Sequence, residues 1–364
     1  MGELFAGRYE LLDPIASGGM GTVWAVLDRA DGQVKAAKML RQADAAMLLR
    51  FVREQSVRIN HEHVVTPLSW AGVDDRVLFT MPLVRGGSVS GLMRRYGALP
   101  PAWIGHLTAQ TADALAAVHA AGIVHRDVKP GNLLLEPTRR GVPHLLLTDF
   151  GIAVPSDEPR LTQLGTVIGT PGYMSPEQVQ GADPMPSADV YSLGMVVLEM
   201  LTAQRPPADP VPTPPRVDEL RTGDRGHDLV LDVVAAATTY DPGTRPTASQ
   251  LRQHPALLAL LALPLAADDP IDVVDDYASL AVPPRTAPPP PPPPPLGTAP
   301  HPAPTSLLPP PPPPPQHVAY PAPSPPPASP PDSSPTAARG TLSAVVLLVA
   351  GLLALLAGGF LLLG

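Results

Sequence analysis

The stretch Gly122-Ile123-Val124-His125-Arg126-Asp127-Val128-Lys129-Pro130-Gly131-Asn132 gathers a carboxylate, an ammonium and an amide on one short segment. It follows Leu107, Leu115 and Val118, apolar residues on a helical period. Gly122 is placed to end that helix, because glycine takes the left-handed conformation of a helix C-terminus without steric cost. Asp127, Lys129 and Asn132 then share one loop that offers a base, a cation and a metal ligand. Downstream, Leu145-Leu146-Leu147-Thr148-Asp149-Phe150-Gly151 sets a second carboxylate at the end of an apolar strand. Oxygen donors of this kind suit a hard divalent ion.

Toward the N-terminus lies Ile15-Ala16-Ser17-Gly18-Gly19-Met20-Gly21-Thr22-Val23. A dinucleotide-binding fold or a Walker loop would place a helix directly after the glycines. Here Tyr9 to Leu12 precedes them, and Val23 to Leu27, rich in β-formers, follows. Strand, glycine-rich turn and strand therefore read as an antiparallel flap. Asp31-Gly32 is a second turn signal, and Val34 to Leu40 forms a third strand that carries Lys38.

The whole chain has 364 residues, 53 prolines and no cysteine. Disulfide scaffolds, thiolate nucleophiles, zinc–thiolate clusters and iron–sulfur centres are thereby excluded. A net charge of −8 lacks the basic footprint of a general nucleic-acid binder, so no nucleic-acid partner is expected. Lysine is rare, three against 22 arginines, which gives each lysine weight. Between Pro283 and Pro335, 28 of 53 residues are proline. Proline removes the N–H that helices and sheets need, so this stretch carries no packed core.

The N-terminus has no apolar run of signal-peptide length, and Ala6 fails the myristoylation pattern. Leu342 to Gly364 is 23 residues without a charge. At ~1.5 Å per residue such a helix crosses a hydrocarbon core of about 30 Å. A single-pass anchor in the plasma membrane is expected, with the folded domain cytoplasmic and Arg339 on that side. Ala350, Ala354 and Gly358 recur at four-residue spacing, which would let two such helices approach closely as a homodimer. Residues 283–340 form a linker with runs of eight and seven prolines. In polyproline II it is a semi-rigid spacer on the order of 100 Å long, and it could also dock into an aromatic-lined groove of a partner that binds Pro-rich motifs. Residues 260–282, with Asp268, Asp269, Asp272, Asp275 and Asp276, read as an acidic, solvated boundary.

His125 to Asn132, Asp149-Phe150-Gly151, Gly169-Thr170-Pro171-Gly172-Tyr173 and Ser175-Pro176-Glu177 occur in an order and spacing that resemble the eukaryotic-type (Hanks-type) Ser/Thr protein kinases, in their bacterial membrane-anchored branch. The resemblance covers residues 8–259. It implies an α+β, bilobal fold: a small β-rich N-lobe over about residues 8–84, a larger helical C-lobe over about 85–259, and ATP between them. It also implies roles. Gly18 and Gly21 let the flap close over the ATP phosphates. Ile15, Val23, Ala36, Met81, Pro82 and Val84 line the nucleotide pocket, with Met81 as gatekeeper. Lys38 neutralises phosphate charge and Glu54 holds it. Asn132 and Asp149 bind Mg²⁺, with Mn²⁺ as an alternative. Asp127 accepts the proton of a Ser/Thr hydroxyl on a protein substrate, and Lys129 steadies the phosphoryl group in flight.

The resemblance extends to architecture and regulation. Asp149 to Glu177 is the activation segment; Thr162 and Thr166 are candidates for autophosphorylation, and Arg126 would dock the added phosphate. Thr170 is expected to contact Asp127 and Lys129 directly. Asp189, opening the helical run Val190 to Leu201, holds the catalytic loop from below, and Glu177 with Arg245 forms a buried ion pair. Lys35 is left as a solvent-facing strand residue. Three departures stand out. Ala16 occupies the first loop glycine, and Pro82 follows Met81 where a glutamate is common. The seven residues from Glu54 to His61 are short for the family. Either the helix or the loop after it is trimmed, or the glutamate position is Val52; Glu54 is the reading adopted. The rival class is a catalytically silent ATP-binding scaffold that acts through the Pro-rich arm.

Overall fold

Gly21 lies against the Met39 backbone at a distance that leaves no room for a side chain. Its φ is +136°, and a Cβ there would strike the Met39 carbonyl oxygen. The computed structural model describes residues 3–18, 21–41, 59–74, 76–149, 169–183, 185–208, 213–266 and 269–280. In it, strands β1 (Leu4–Phe5), β2 (Tyr9–Gly18), β3 (Gly21–Asp28), β4 (Gln33–Arg41), β5 (Ser69–Val73) and β6 (Arg76–Pro82) form one sheet. Their order is β1-β2-β3-β4-β6-β5, and all pairings are antiparallel.

Register decides what each face carries, since directly opposed residues share a face. Val23 opposes Lys38, Ala25 opposes Ala36, and Ala36 in turn opposes Met81. These residues occupy one face. The other face buries Tyr9, Leu11, Val26, Ala37 and Leu78 with Phe5 of β1 in a small core of its own. At its edge Asp28, fully buried, accepts hydrogen bonds from Arg8 (2.7 and 2.8 Å) and Lys35 (2.6 Å). These partners, Arg8 foremost, hold its carboxyl well below the usual carboxylate range. Lys35 is therefore not the solvent-facing residue expected from sequence: it is 11% exposed and also bonds Asp31 at 2.5 Å. A buried carboxylate must be neutralised, and the β3–β4 register brings Lys35 to it.

The C-lobe is built on α1 (Val89–Tyr96), α2 (Pro101–Ala120), the hairpin strands β7 (Leu133–Leu135) and β8 (Leu145–Leu147), the short helix α3 (Pro176–Val179), α4 (Pro186–Thr202), α5 (Arg225–Ala237), α6 (Ala248–Arg252) and α7 (Pro255–Leu261). Proline at the first turn starts α2, α4 and α7 where its missing N–H has no intrahelical partner to lose. The 20 residues of α2 run for about 30 Å through the core. There Trp103, Ile104, Leu107, Leu115 and Val118 pack with Val190, Leu193, Val196 and Val197 of α4 and Val230 and Val234 of α5. Each such side chain, fully withdrawn from water, contributes about 1.5–3 kcal/mol. The segment 61–65 joins the lobes: Val64 bridges Leu147, Leu147 N–H donates to the His63 carbonyl, and Val65 N–H donates to that of Leu147.

The acidic segment after α7 is not a solvated boundary. Ile271 and Val273 are each 1% exposed, and Val273 exchanges two backbone hydrogen bonds with Arg139. Asp275 pairs with Arg85 (2.8 Å) and Asp276 with Arg95 (3.2 Å), while the Tyr96 hydroxyl donates to the Asp272 carbonyl. The carboxylates follow two apolar residues that need burial, and they meet arginines of the opposing surface. The folded unit thus extends past residue 259 to at least residue 280. Among the described residues no helix is long and apolar enough to cross a membrane. The linker at 283–340 and the segment 342–364 lie outside the described residues.

Candidate active site

Helix α2 ends in a Schellman motif. Gly122, at φ +74°, donates to the His119 carbonyl, and Ile123 N–H donates to that of Val118. The chain so redirected enters the loop 123–132. Two of its N–H groups, those of His125 and Arg126, donate to the Asp189 carboxylate at 2.8 and 2.7 Å, and His119 Nε2 lies 2.8 Å from the same group. Asp189 itself is fully buried in the first turn of α4. Arg126 has φ +69°, a conformation that costs a non-glycine residue about 1–3 kcal/mol and persists only when its surroundings over-determine it. The Asp189 carboxylate supplies that restraint. Sequence reasoning found Asp189 but missed His119, whose helical position carries no signal for it.

His125 fixes the next turn. Its Nε2 is 3.0 Å from the Thr148 carbonyl, and its Nδ1 accepts from Asp127 N–H at 3.3 Å. One nitrogen must donate and the other accept, which defines a neutral ring. Complete burial pushes its pKa down in the same direction.

The side chains then converge. Asp127 Oδ1 accepts from the Thr170 hydroxyl at 2.6 Å, and its Oδ2 accepts from Lys129 Nζ at 2.6 Å and Asn132 Nδ2 at 3.1 Å. Lys129 also donates to Thr170 Oγ1 at 3.0 Å. Asn132 Nδ2 reaches the Asp127 carbonyl as well, at 2.8 Å. Both amide hydrogens of Asn132 are thus committed to Asp127, which leaves its Oδ1 to face a cation. Strand β8 delivers Asp149, at φ +57°, and Lys38 crosses from the N-lobe sheet to pair with it at 2.8 Å. The Thr148 hydroxyl lies 3.9 Å from Met81 Sδ, so the residue expected as gatekeeper sits beside the one preceding Asp149. Val84, which follows β6, is buried.

Beyond the loop, the Tyr173 hydroxyl donates to Glu199 at 2.5 Å, and Ser192 Oγ donates to the Tyr173 carbonyl at 2.8 Å. Burial raises the pKa of both Tyr173 and Glu199. Gly172, at φ +96°, passes so near the Pro206 carbonyl that a Cβ would lie 2.7 Å from its oxygen. The 169–177 stretch is therefore locked onto α4. Arg245 meets Glu177 at 2.7 Å beneath it. Glu54, Thr162 and Thr166 lie outside the described residues. The partner found for Lys38 is Asp149.

A loop that holds a carboxylate, an ammonium and an amide in mutual contact, facing a lysine–aspartate pair that spans two lobes, defines a phosphoryl-transfer site of the protein-kinase class. The model of the protein kinase domain matches residues 9–257, and the chain belongs to that family. It is similar to the serine/threonine-protein kinase PkaA of Streptomyces coelicolor, 38% identical over 216 residues, 55% of this chain and 39% of that one. It is likewise similar to PknA of Mycobacterium tuberculosis, 38% identical over 216 residues, 57% of this chain and 49% of that one. PkaB of Streptomyces coelicolor is 34% identical over 293 residues, 74% of this chain and 68% of its own. The chain spans about half or less of the length of the first two relatives.

Proposed function

We propose that the chain is a Ser/Thr protein kinase that transfers the γ-phosphate of ATP to Ser and Thr hydroxyls of proteins and activates itself through its activation segment. The observation that carries this is the cluster of Asp127, Lys129, Asn132 and Thr170 around one carboxylate. Asp127 takes the proton of the attacking hydroxyl, whose place the Thr170 hydroxyl marks. Lys129, bridging Asp127 and Thr170, offsets the charge of the phosphoryl group. Lys38 orients the nucleotide phosphates from above, and Val23, Ala36 and Met81 on the same sheet face pack against the base. The all-oxygen donor set of Asn132 Oδ1 and Asp149 fits Mg²⁺, and Mn²⁺ as its substitute; these two residues would hold the ion, which would supply charge neutralisation at the phosphates. Arg126, at the root of the loop, would receive the phosphate on Thr162 or Thr166.

Full-length protein incubated with labelled ATP and Mg²⁺ should incorporate phosphate on Thr162 or Thr166, whereas Lys38→Met should not. Tight ATP binding with no incorporation would favour a silent scaffold instead. We further propose that residues 342–364, 23 residues without a charge, anchor the chain in the plasma membrane with the kinase domain cytoplasmic and the Pro-rich linker as a spacer. Deleting them should move the protein from the membrane fraction to the supernatant of a cell lysate. Unchanged fractionation would refute the anchor.

A further inference from the structure

The segment that joins the lobes holds a second group of ligands. Glu62, His63 and Asp113 of α2 each direct a ligand atom to a common point, all three within 4.8 Å of one another. His63 is 8% exposed. Its Nδ1 lies 2.8 Å from the Leu145 carbonyl, and a carbonyl can only accept, so Nδ1 carries the hydrogen. That leaves the lone pair on Nε2. Yet Nε2 faces Glu62 Oε1 at 3.8 Å, a carboxylate with no hydrogen to give. A lone pair facing a carboxylate has no hydrogen to accept from it, and a cation held between the two would satisfy both.

We propose that Glu62, His63 and Asp113 bind a borderline divalent transition-metal ion of the Zn²⁺ type. One imidazole nitrogen with two carboxylate oxygens suits such an ion, whereas Mg²⁺ prefers oxygen alone. Three protein ligands leave a position for water. The surrounding groups match what metal sites need: a ligating imidazole oriented through its other nitrogen, and a carboxylate with polar partners of its own. Leu145 does the first. For Asp113, Arg252 Nη1 lies 2.8 Å from Oδ1 and His61 Nε2 3.4 Å from Oδ2. His61 Nδ1 accepts from His63 N–H at 3.2 Å, so its Nε2 bears the hydrogen and supports Asp113 without competing for the ion. With bond lengths near 2.1 Å, ligand atoms in a tetrahedral site stand about 3.4 Å apart. Glu62, 71% exposed, is free to close the remaining gap.

The position gives the site a consequence. His63 bonds β8 through both its side chain and its carbonyl, and β8 leads directly to Asp149. A bound ion would clamp the inter-lobe segment to α2 one strand away from the phosphoryl-transfer site.

The test uses the full-length chain in detergent, stripped with chelator and titrated with Co²⁺ while excess Mg²⁺ occupies the nucleotide site. Visible d–d absorption should saturate at one equivalent and be displaced by Zn²⁺. Glu62→Gln, an exposed and structurally mild change, should weaken Co²⁺ binding by about tenfold or more, and His63→Ala should abolish the signal. Zn²⁺ should raise the Tm of the wild type by more than that of Glu62→Gln at the same concentration. Absence of the absorption in the wild type, or the same spectrum and affinity in Glu62→Gln, would overturn the proposal.

Discussion

Asp127→Asn is expected to lower the kcat of phosphoryl transfer to a peptide by about 10²- to 10⁴-fold, the range that a positioned general base contributes. The substitution keeps the shape of the side chain and removes two things. An amide takes no proton from the attacking hydroxyl, and it presents an NH₂ where the carboxylate presents an oxygen. Asp127 accepts from three donors, Thr170, Lys129 and Asn132. With one oxygen replaced, an N–H must face either the Thr170 hydroxyl or the Lys129 ammonium. ATP affinity should hold, because the Lys38–Asp149 pair proposed to meet the nucleotide phosphates is separate from these three contacts. A kcat within tenfold of wild type, measured with ATP saturating, would remove Asp127 from the role of base.

These two loops were legible in the sequence because their chemistry is local. Asp127, Lys129 and Asn132 span six residues, and the glycine that ends α2 stands five residues before the first of them. Other features depend on which strands and surfaces meet, and residue types do not encode that in one dimension. Lys35 looked like a solvated strand residue; only the pairing of β3 with β4 brings it to the buried Asp28. Asp272, Asp275 and Asp276 looked like a solvated run, since three carboxylates in five residues ordinarily avoid burial. Arg85, Arg95 and Arg139, which receive them, lie more than a hundred residues earlier. The Glu62–His63–Asp113 cluster was hidden for the same reason. His63 and Asp113 lie fifty residues apart, and nothing in either stretch points to the other.

Arg245→Met should destabilise the fold by about 3–5 kcal/mol, the cost of stranding one partner of a buried ion pair. Arg245 has five N–H donors, and each has a partner. Nε donates to the Thr239 carbonyl, Nη1 to Glu177 Oε1 and the Ser187 carbonyl, and Nη2 to Glu177 Oε2 and the Tyr240 carbonyl. The guanidinium also stacks over the Tyr191 ring at 5.1 Å, and its side chain is fully buried. Removing it leaves Glu177 charged and half-enclosed, with three carbonyls short of a donor. Arg245→Lys is no rescue, because a compact ammonium cannot serve both Glu177 and the carbonyls around the planar fork. The pH dependence gives an independent check. Burial alone would raise the Glu177 pKa, but the hydrogen bonds from Arg245, the backbone and Ser175 together with the Arg245 charge more than offset it, and the folded value is lowered. A depressed carboxylate stabilises the folded state above its unfolded pKa of about 4.3 and loses that contribution as pH falls through the folded value. The gap in urea stability between wild type and Arg245→Met should therefore be widest near neutrality and narrow below about pH 4 to the part owed to the carbonyls and the Tyr191 ring. A gap that stays constant across that range would mean that Arg245 acts through packing and its carbonyl partners, and that the pair with Glu177 contributes little.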